Sequence, residues 1–445
     1  MGHGALFADS RHRTELRRST ILPAMRILWL SLFAAAIPTA LAQPAQPVWQ
    51  MQDSGTTASL RGIDSVDGRV AWASGNGGTV LKTIDGGEHW LKCAVPDAAT
   101  DGATLDFRGV QAWDAETAIV MASGPRDKSR LYKTTDGCET WELMLKNSDP
   151  EGFYDSFAFW DRMHGFLLGD PVSEIPYWQE IDENNQRLTG PRLVKRKLPK
   201  KRFLTIETND GGTTWGYWGI DRGDFTEQAA SDGAAFAASN SAAFVPTQIN
   251  DPCLEESPQG TNRVWIGIGG KGGATVLLGF RDPVDVCPQH PLNGAAIRIG
   301  WSVPRIAHIG GRHESSGVFS LAFRQEIRKA QIGKARRPSP EADDHGYLNG
   351  VAVGGDYTKP NEKTGTAARS ADSGWTWTAS TVPPHGYRST VQWSAELGAW
   401  ITAGTNGSDI SRDDGRTWQP LDNGNWNALS LPYIVGPNGR IARLK

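Results

Sequence analysis

Residues 83–90 read TIDGGEHW, and the same phrase returns as TTDGCETW at 134–141, TNDGGTTW at 208–215, SADSGWTW at 370–377 and SRDDGRTW at 411–418. The shared pattern is Ser/Thr-x-Asp-x-Gly-x-Thr-Trp, with His89 in place of the threonine in the first copy and Cys138 in place of the glycine in the second. A phrase this long, repeated five times, marks a repeat architecture. Its chemistry is that of a hairpin turn: the aspartate accepts hydrogen bonds from N–H groups of its own turn, and the glycine supplies a positive φ. The five carboxylates, Asp85, Asp136, Asp210, Asp372 and Asp413, therefore read as structural rather than catalytic.

Working outward from the first copy, residues 60–66, 70–74 and 79–83 are short β-prone runs separated by Asp67-Gly68 and Asn76-Gly77-Gly78, and a fourth strand starts at Trp90. Four antiparallel strands in each repeat of about 40–50 residues are the mark of propeller blades, which bury their faces by stacking on neighbours. Blades one, two and three span about 59–95, 106–146 and 152–218, the third stretched by an insertion at 171–203 that reads as a projecting, solvated hairpin or loop. The interval from Trp215 to Trp377 has room for two more. Blade four takes strands at 234–245, 263–269, 275–280 and 301–306, and blade five starts at Gly317. Blade six covers 387–421. After Asn425 only three strands remain, and 48–51 supplies the fourth, closing the ring and removing an open edge. The expectation is an all-β chain, a single β-propeller of seven four-stranded blades over 43–445, with six or eight as the neighbouring counts.

Composition agrees: 51 Gly, 26 Pro and 18 Trp suit many short strands and tight turns, and little helix is expected. A net charge of −3 excludes a general attraction to nucleic acid or anionic membranes. At the N-terminus, Arg17, Arg18 and Arg26 precede an apolar run over 27–37, and Ala40-Leu41-Ala42 has the small-x-small form of a cleavage site. Residues 1–42 thus read as a signal peptide, with Met25 an alternative start, and the mature chain is expected to be soluble, monomeric and periplasmic or secreted. Cys93, Cys138, Cys253 and Cys287 fit an oxidising compartment; Cys253 with Cys287 is the favoured pairing because both flank loops of the same blade, and Cys93 with Cys138 is the second. No Cys-x-x-Cys pair or following His marks a metal site, and no cofactor is expected.

The repeated phrase and the strands around it resemble the BNR/Asp-box propellers. The strings GFYDSFAFWD…HGFLLGDP, GVFSLAF…GVAVGGDY, YRSTVQW and GTNGSDISRDDGRTW resemble, more narrowly, the photosystem II stability/assembly factor-like family of exported propellers, over nearly the whole mature chain. That resemblance implies an assembly or binding role rather than turnover. The implied partner is a protein or peptide, such as a subunit of a membrane complex.

The innermost strands of a propeller line its channel, and three of them begin with arginine: Arg61 in LRGI, Arg108 in FRGV and Arg388 in YRST. Together with Asp155 and Asp356 they form the candidate ligand-binding set. Buried cations need anions, either internal carboxylates such as Asp155, Asp170, Asp356 or Asp409, or an exchangeable peptide carboxylate or sugar acid. The competing reading is a sialidase-like glycoside hydrolase, which would need a tyrosine nucleophile paired with a carboxylate and a separate acid–base aspartate. Tyr357 and Tyr387 are the nominees. Neither is placed beside a glutamate by any motif, so no catalytic residue is assigned.

Overall fold

The computed structural model describes residues 46–181, 186–217, 232–246, 263–281, 299–301, 305–306, 308–325 and 348–445. Among them the chain is all β apart from two 3-10 turns, Gly102–Thr104 and Arg126–Lys128. Each of four sheets has four antiparallel strands. The first holds Leu60–Ser65, Ala71–Gly75, Val80–Thr83 and Leu91–Lys92, and the second Phe107–Ala112, Ala118–Ala122, Arg130–Thr134 and Glu142–Lys146. A later one holds Thr390–Ser394, Ala399–Gly404, Gly407–Ser411 and Gln419–Asp422. In the last, the N-terminal strand Trp49–Gln52 lies against Ile441–Leu444, with Trp49 opposite Leu444, outside Tyr433–Val435 and Ala428–Ser430. Strands from Ala243 to Ala379 join in one nine-stranded sheet, whose two parts meet where Gly269 pairs with Gly317. Neither glycine has room for a Cβ, which would lie 2.4 Å from Gly317 Cα and 2.5 Å from Gly269 Cα respectively.

The third sheet has only three named strands, two of them very long. Gly165–Ile181 and Arg187–Thr208 form one ladder from Gly165 opposite Thr208 out to Ile181 opposite Arg187. The insertion is therefore a hairpin rather than a loop.

Sheet faces bury one another. Leu60, Ala71 and Leu81 of the first sheet share a core with Ala428, Tyr433 and Val435 of the last, and Trp72 shares one with Phe107, Val120 and Tyr132 of the second. Inner strands surround a cavity of about 670 Å³ lined by Ile63, Val110, Phe157, Leu321, Val391 and Leu429 among others. Around it, polar side chains bridge one inner strand to the next. Asp64 accepts from Ala112 N (2.7 Å); Gln111 accepts from Phe159 N (2.9 Å) and donates to Phe159 O (3.2 Å). Asn240 accepts from Phe157 N (2.8 Å), and Ser241 donates to Ser320 (2.7 Å), whose hydroxyl takes Val391 N (3.0 Å). Gln392 accepts from Leu431 N (2.6 Å), and Ser430 accepts from Ser65 N (2.9 Å), returning to the first sheet. These bonds satisfy backbone groups that strands unpaired on their channel side leave open. Gln111→Ala removes two of them at once and is expected to lower stability by about 1–2 kcal/mol, read as the shift of a urea unfolding curve.

Cys93 and Cys138 form a disulfide. Cys253 and Cys287, the pairing favoured from sequence, lie outside the described residues, as do residues 1–42, expected from sequence to be a signal peptide. No helix among the described residues is long and apolar enough to cross a membrane.

Candidate functional site

The five repeated turns share one geometry. Asp85 Oδ1 accepts from His89 N at 3.0 Å, and Asp136, Asp210, Asp372 and Asp413 accept from Thr140, Thr214, Thr376 and Thr417 N at 2.8–3.0 Å. The preceding Thr or Ser hydroxyl donates to the same carboxylate, as Thr83 does to Asp85 at 2.8 Å. Two successive residues take positive φ, Gly86 and Gly87 in the first turn; Cys138 (φ 74°) stands where the pattern has glycine. These carboxylates are absorbed by their own turns, which leaves the channel as the place where polar side chains from several sheets converge.

At the start of the inner strands, the ladder skips a residue between Leu60 and Gly62, Phe107 and Gly109, Tyr154 and Ser156, and Val318 and Ser320. The skipped residues are Arg61, Arg108, Asp155 and Phe319. A bulge re-aims its side chain off the sheet, and here it gathers these residues at one end of the channel. Arg108 Nε donates to Asp106 Oδ2 (2.8 Å), and a terminal nitrogen donates to Ala237 O (3.3 Å). Arg61 lies near enough to feel both Arg108 and Asp106; burial, then repulsion from Arg108, lowers its pKa. Its Nε is buried and has no hydrogen-bond partner among the described residues. Asp155 is buried, with Oδ2 also unpartnered among the described residues. Burial, then the Asp170 carboxylate, pushes Asp155 well above the usual carboxylate range, against the opposing pull of Arg108. Burial raises Asp170 too.

Arg388 departs from the expected set. It is fully buried, and its guanidinium binds Asp409 through Nε (2.7 Å) and a terminal nitrogen, Tyr387 O (2.6 Å) and Asn406 Oδ1 (2.5 Å). The cause is register. Ile63 and Val110, two residues after their arginines, line the cavity, whereas in YRSTV the corresponding Val391 comes three after Arg388. An offset of one residue turns a strand side chain to the opposite face, so Arg388 enters the sheet and takes an internal partner. Asp356 is likewise occupied locally, accepting from Ser315 Oγ (2.6 Å) and Thr358 Oγ1 (2.7 Å), contacts that hold its pKa down to about 2 against burial.

Three residues of this end escaped sequence reasoning. Asp106 precedes Arg108 by two, a proximity that was legible. Phe236 and Phe319 stack at 4.0 Å, and Phe319 meets Tyr387 edge-on at 4.9 Å. Only the bulge at Phe319 aligns it with the arginines. The nominated tyrosines differ: Tyr387 is buried, with its phenol pKa raised by that burial, while Tyr357 is 53% exposed.

These shifts set a pH profile. Asp64, raised by burial to about 6, adds stability that is full below its unfolded value of about 4 and is lost as pH rises toward 6. Asp136, held to about 2 by Thr140, does the opposite, its contribution present above about 4 and lost as pH falls. The melting temperature is expected to peak between these limbs, and Asp64→Asn should flatten the decline from pH 4 to 6. An unchanged decline would show that other groups produce it.

No protein-family model matches the chain. Over 132 residues it is 27% identical to Photosystem II assembly lipoprotein Ycf48 of Parasynechococcus marenigrum (strain WH8102), a stretch covering 29% of this chain. The chain thus spans 36% of the length of that curated relative. Among solved structures, YCF48 from Cyanidioschyzon merolae aligns with a TM-score of 0.50 at 15% identity, covering 89% of this chain and 98% of that one. YCF48 bound to D1 peptide aligns with a TM-score of 0.46 at 14% identity, covering 90% and 99%. The fold is a β-propeller like that of the Cyanidioschyzon merolae structure, and the narrower resemblance read from the sequence, to the photosystem II assembly factor-like propellers, is borne out.

Proposed function

We propose that the chain is an exported, non-enzymatic scaffold that binds a protein or peptide partner, such as a membrane-complex subunit, through an anionic group at the Arg61–Arg108 end of its channel. The observation that carries this reading is Arg61 Nε, buried beside a second arginine and with no hydrogen-bond partner among the described residues. An unsatisfied buried donor is costly, and an incoming carboxylate would relieve it while separating two like charges. Asp155 and Asp170, shifted toward their protonated forms, oppose such a ligand less than ionised carboxylates would. The name of the curated relative, an assembly lipoprotein, favours the same class of role.

A seven-bladed closed ring follows if the nine-stranded sheet is divided at Gly269–Gly317; the pairing of Trp49–Gln52 with Ile441–Leu444 supports it. Export to an oxidising compartment is supported by the signal-like sequence pattern of residues 1–42 and by the Cys93–Cys138 disulfide. A panel of peptides with free or amidated C-termini tests the ligand class. Arg61→Ala and Arg108→Ala are each expected to weaken binding of the free-acid form by about 1.5–3 kcal/mol with little change in melting temperature. Equal binding of amidated peptides, or sugar release from a glycoside panel, would overturn the reading.

A further inference from the structure

A second cavity, of about 250 Å³, lies away from the channel between the second sheet and the long hairpin. Its floor is apolar and buried: Tyr154, Val172, Ile175, Leu204, Ile206 and Trp215. One wall is Met144, Leu145 and Lys146 of Glu142–Lys146, the terminal strand of its sheet, whose outward edge no other described strand pairs. The other is the hairpin at Glu174, Ile175 and Pro176, facing Leu193 and Lys195. Leu143 of Glu142–Lys146 and Leu193 on the rim are each 43% exposed. An open strand edge beside an apolar pocket is the arrangement that takes an added strand, the backbone supplying hydrogen bonds and the pocket a side-chain preference.

Charge says which strand. Residues 187–203, RLTGPRLVKRKLPKKRF, hold eight lysines and arginines and no acidic residue, in a chain of net charge −3. Lys197 lies opposite Glu174 and Lys201 bonds Glu151 at 2.9 Å, but Arg192 and Lys195 lie opposite Gln179 and Pro176. Lysine on an exposed edge also discourages strand pairing between copies, which leaves an acidic segment as the matched occupant. The geometry points to a docking site for an extended acidic peptide segment that pairs with the edge of Glu142–Lys146, seats one apolar side chain in the cavity and sets carboxylates toward Arg192 and Lys195. This site is independent of the channel.

The probes are fluorescein-labelled heptapeptides with a central leucine, isoleucine, phenylalanine or tryptophan flanked by aspartates, titrated with the full chain by fluorescence anisotropy. At least one apolar-centred peptide should bind saturably, and its serine-centred counterpart at least tenfold more weakly. Leu193→Glu, at an exposed position, should weaken binding at least tenfold, and Arg192→Glu with Lys195→Glu should weaken it and flatten its salt dependence. Arg61→Ala should leave it unchanged, separating this site from the channel. Circular dichroism melts check that each variant is folded. The proposal is overturned if no peptide of the panel binds, if Leu193→Glu binds like the wild type, if Arg61→Ala abolishes binding, or if serine-centred peptides bind equally. It is also overturned if Leu193→Glu instead abolishes self-association or sedimentation with phosphatidylglycerol vesicles while peptide binding persists.

Discussion

Arg388→Ala is expected to cost about 3–5 kcal/mol of folding stability, the range for removing one partner of a buried ion pair. Arg388 and Asp409 are both fully buried. Truncation strands the carboxylate and also removes donors from Tyr387 O and Asn406 Oδ1. His385 remains, with Nδ1 2.7 Å from Asp409 Oδ1 and Nε2 2.8 Å from Asn406 O; that carbonyl can only accept, so Nε2 carries a proton. Arg388→Lys keeps the charge but lacks the planar fork that serves Asp409 and Asn406 together, and should recover only part of the loss. Arg388→Met combined with Asp409→Asn should be less damaging than Arg388→Ala alone, because no charge is stranded. Urea unfolding of the three variants measures this. A loss below about 1 kcal/mol for Arg388→Ala, the scale of an exposed pair, would contradict the buried-pair account.

Reduction of Cys93–Cys138 should remove about 4 kcal/mol, from the loop-closure entropy that a bond across 45 residues takes from the unfolded chain. The bond ties the last strand of the first sheet to the turn of the second, where Ala94 N also donates to Cys138 O (3.3 Å) and Trp141 Nε1 to Ala94 O (2.9 Å). Cys93→Ser should lose the full amount. Cys138→Gly should lose about 1 kcal/mol less, because glycine adopts the positive φ of that position without strain. Unfolding midpoints with and without a reductant check the bond itself. Identical midpoints would mean that it adds no stability.

What the sequence by itself determined is whatever its interactions keep local. Each repeated turn closes within the phrase that announces it, Asp85 with His89 and Asp136 with Thr140, so the eight-residue pattern carried its own geometry. The strands between turns followed from their β-prone runs, and the need of the last sheet for a fourth strand was visible once strands were counted. The tertiary structure alone decided which residues meet at the channel. LRGI, FRGV and YRST look equivalent, yet the extra residue before Val391 acquires meaning only when Ser320 of the neighbouring inner strand holds Val391 N. That register turns Arg388 onto Asp409, 21 residues further along, while bulges turn Arg61, Arg108 and Asp155 out together. The physical reason is the period of two in a strand: local pattern places a residue near the channel, and only pairing with the adjacent strands decides which face its side chain takes.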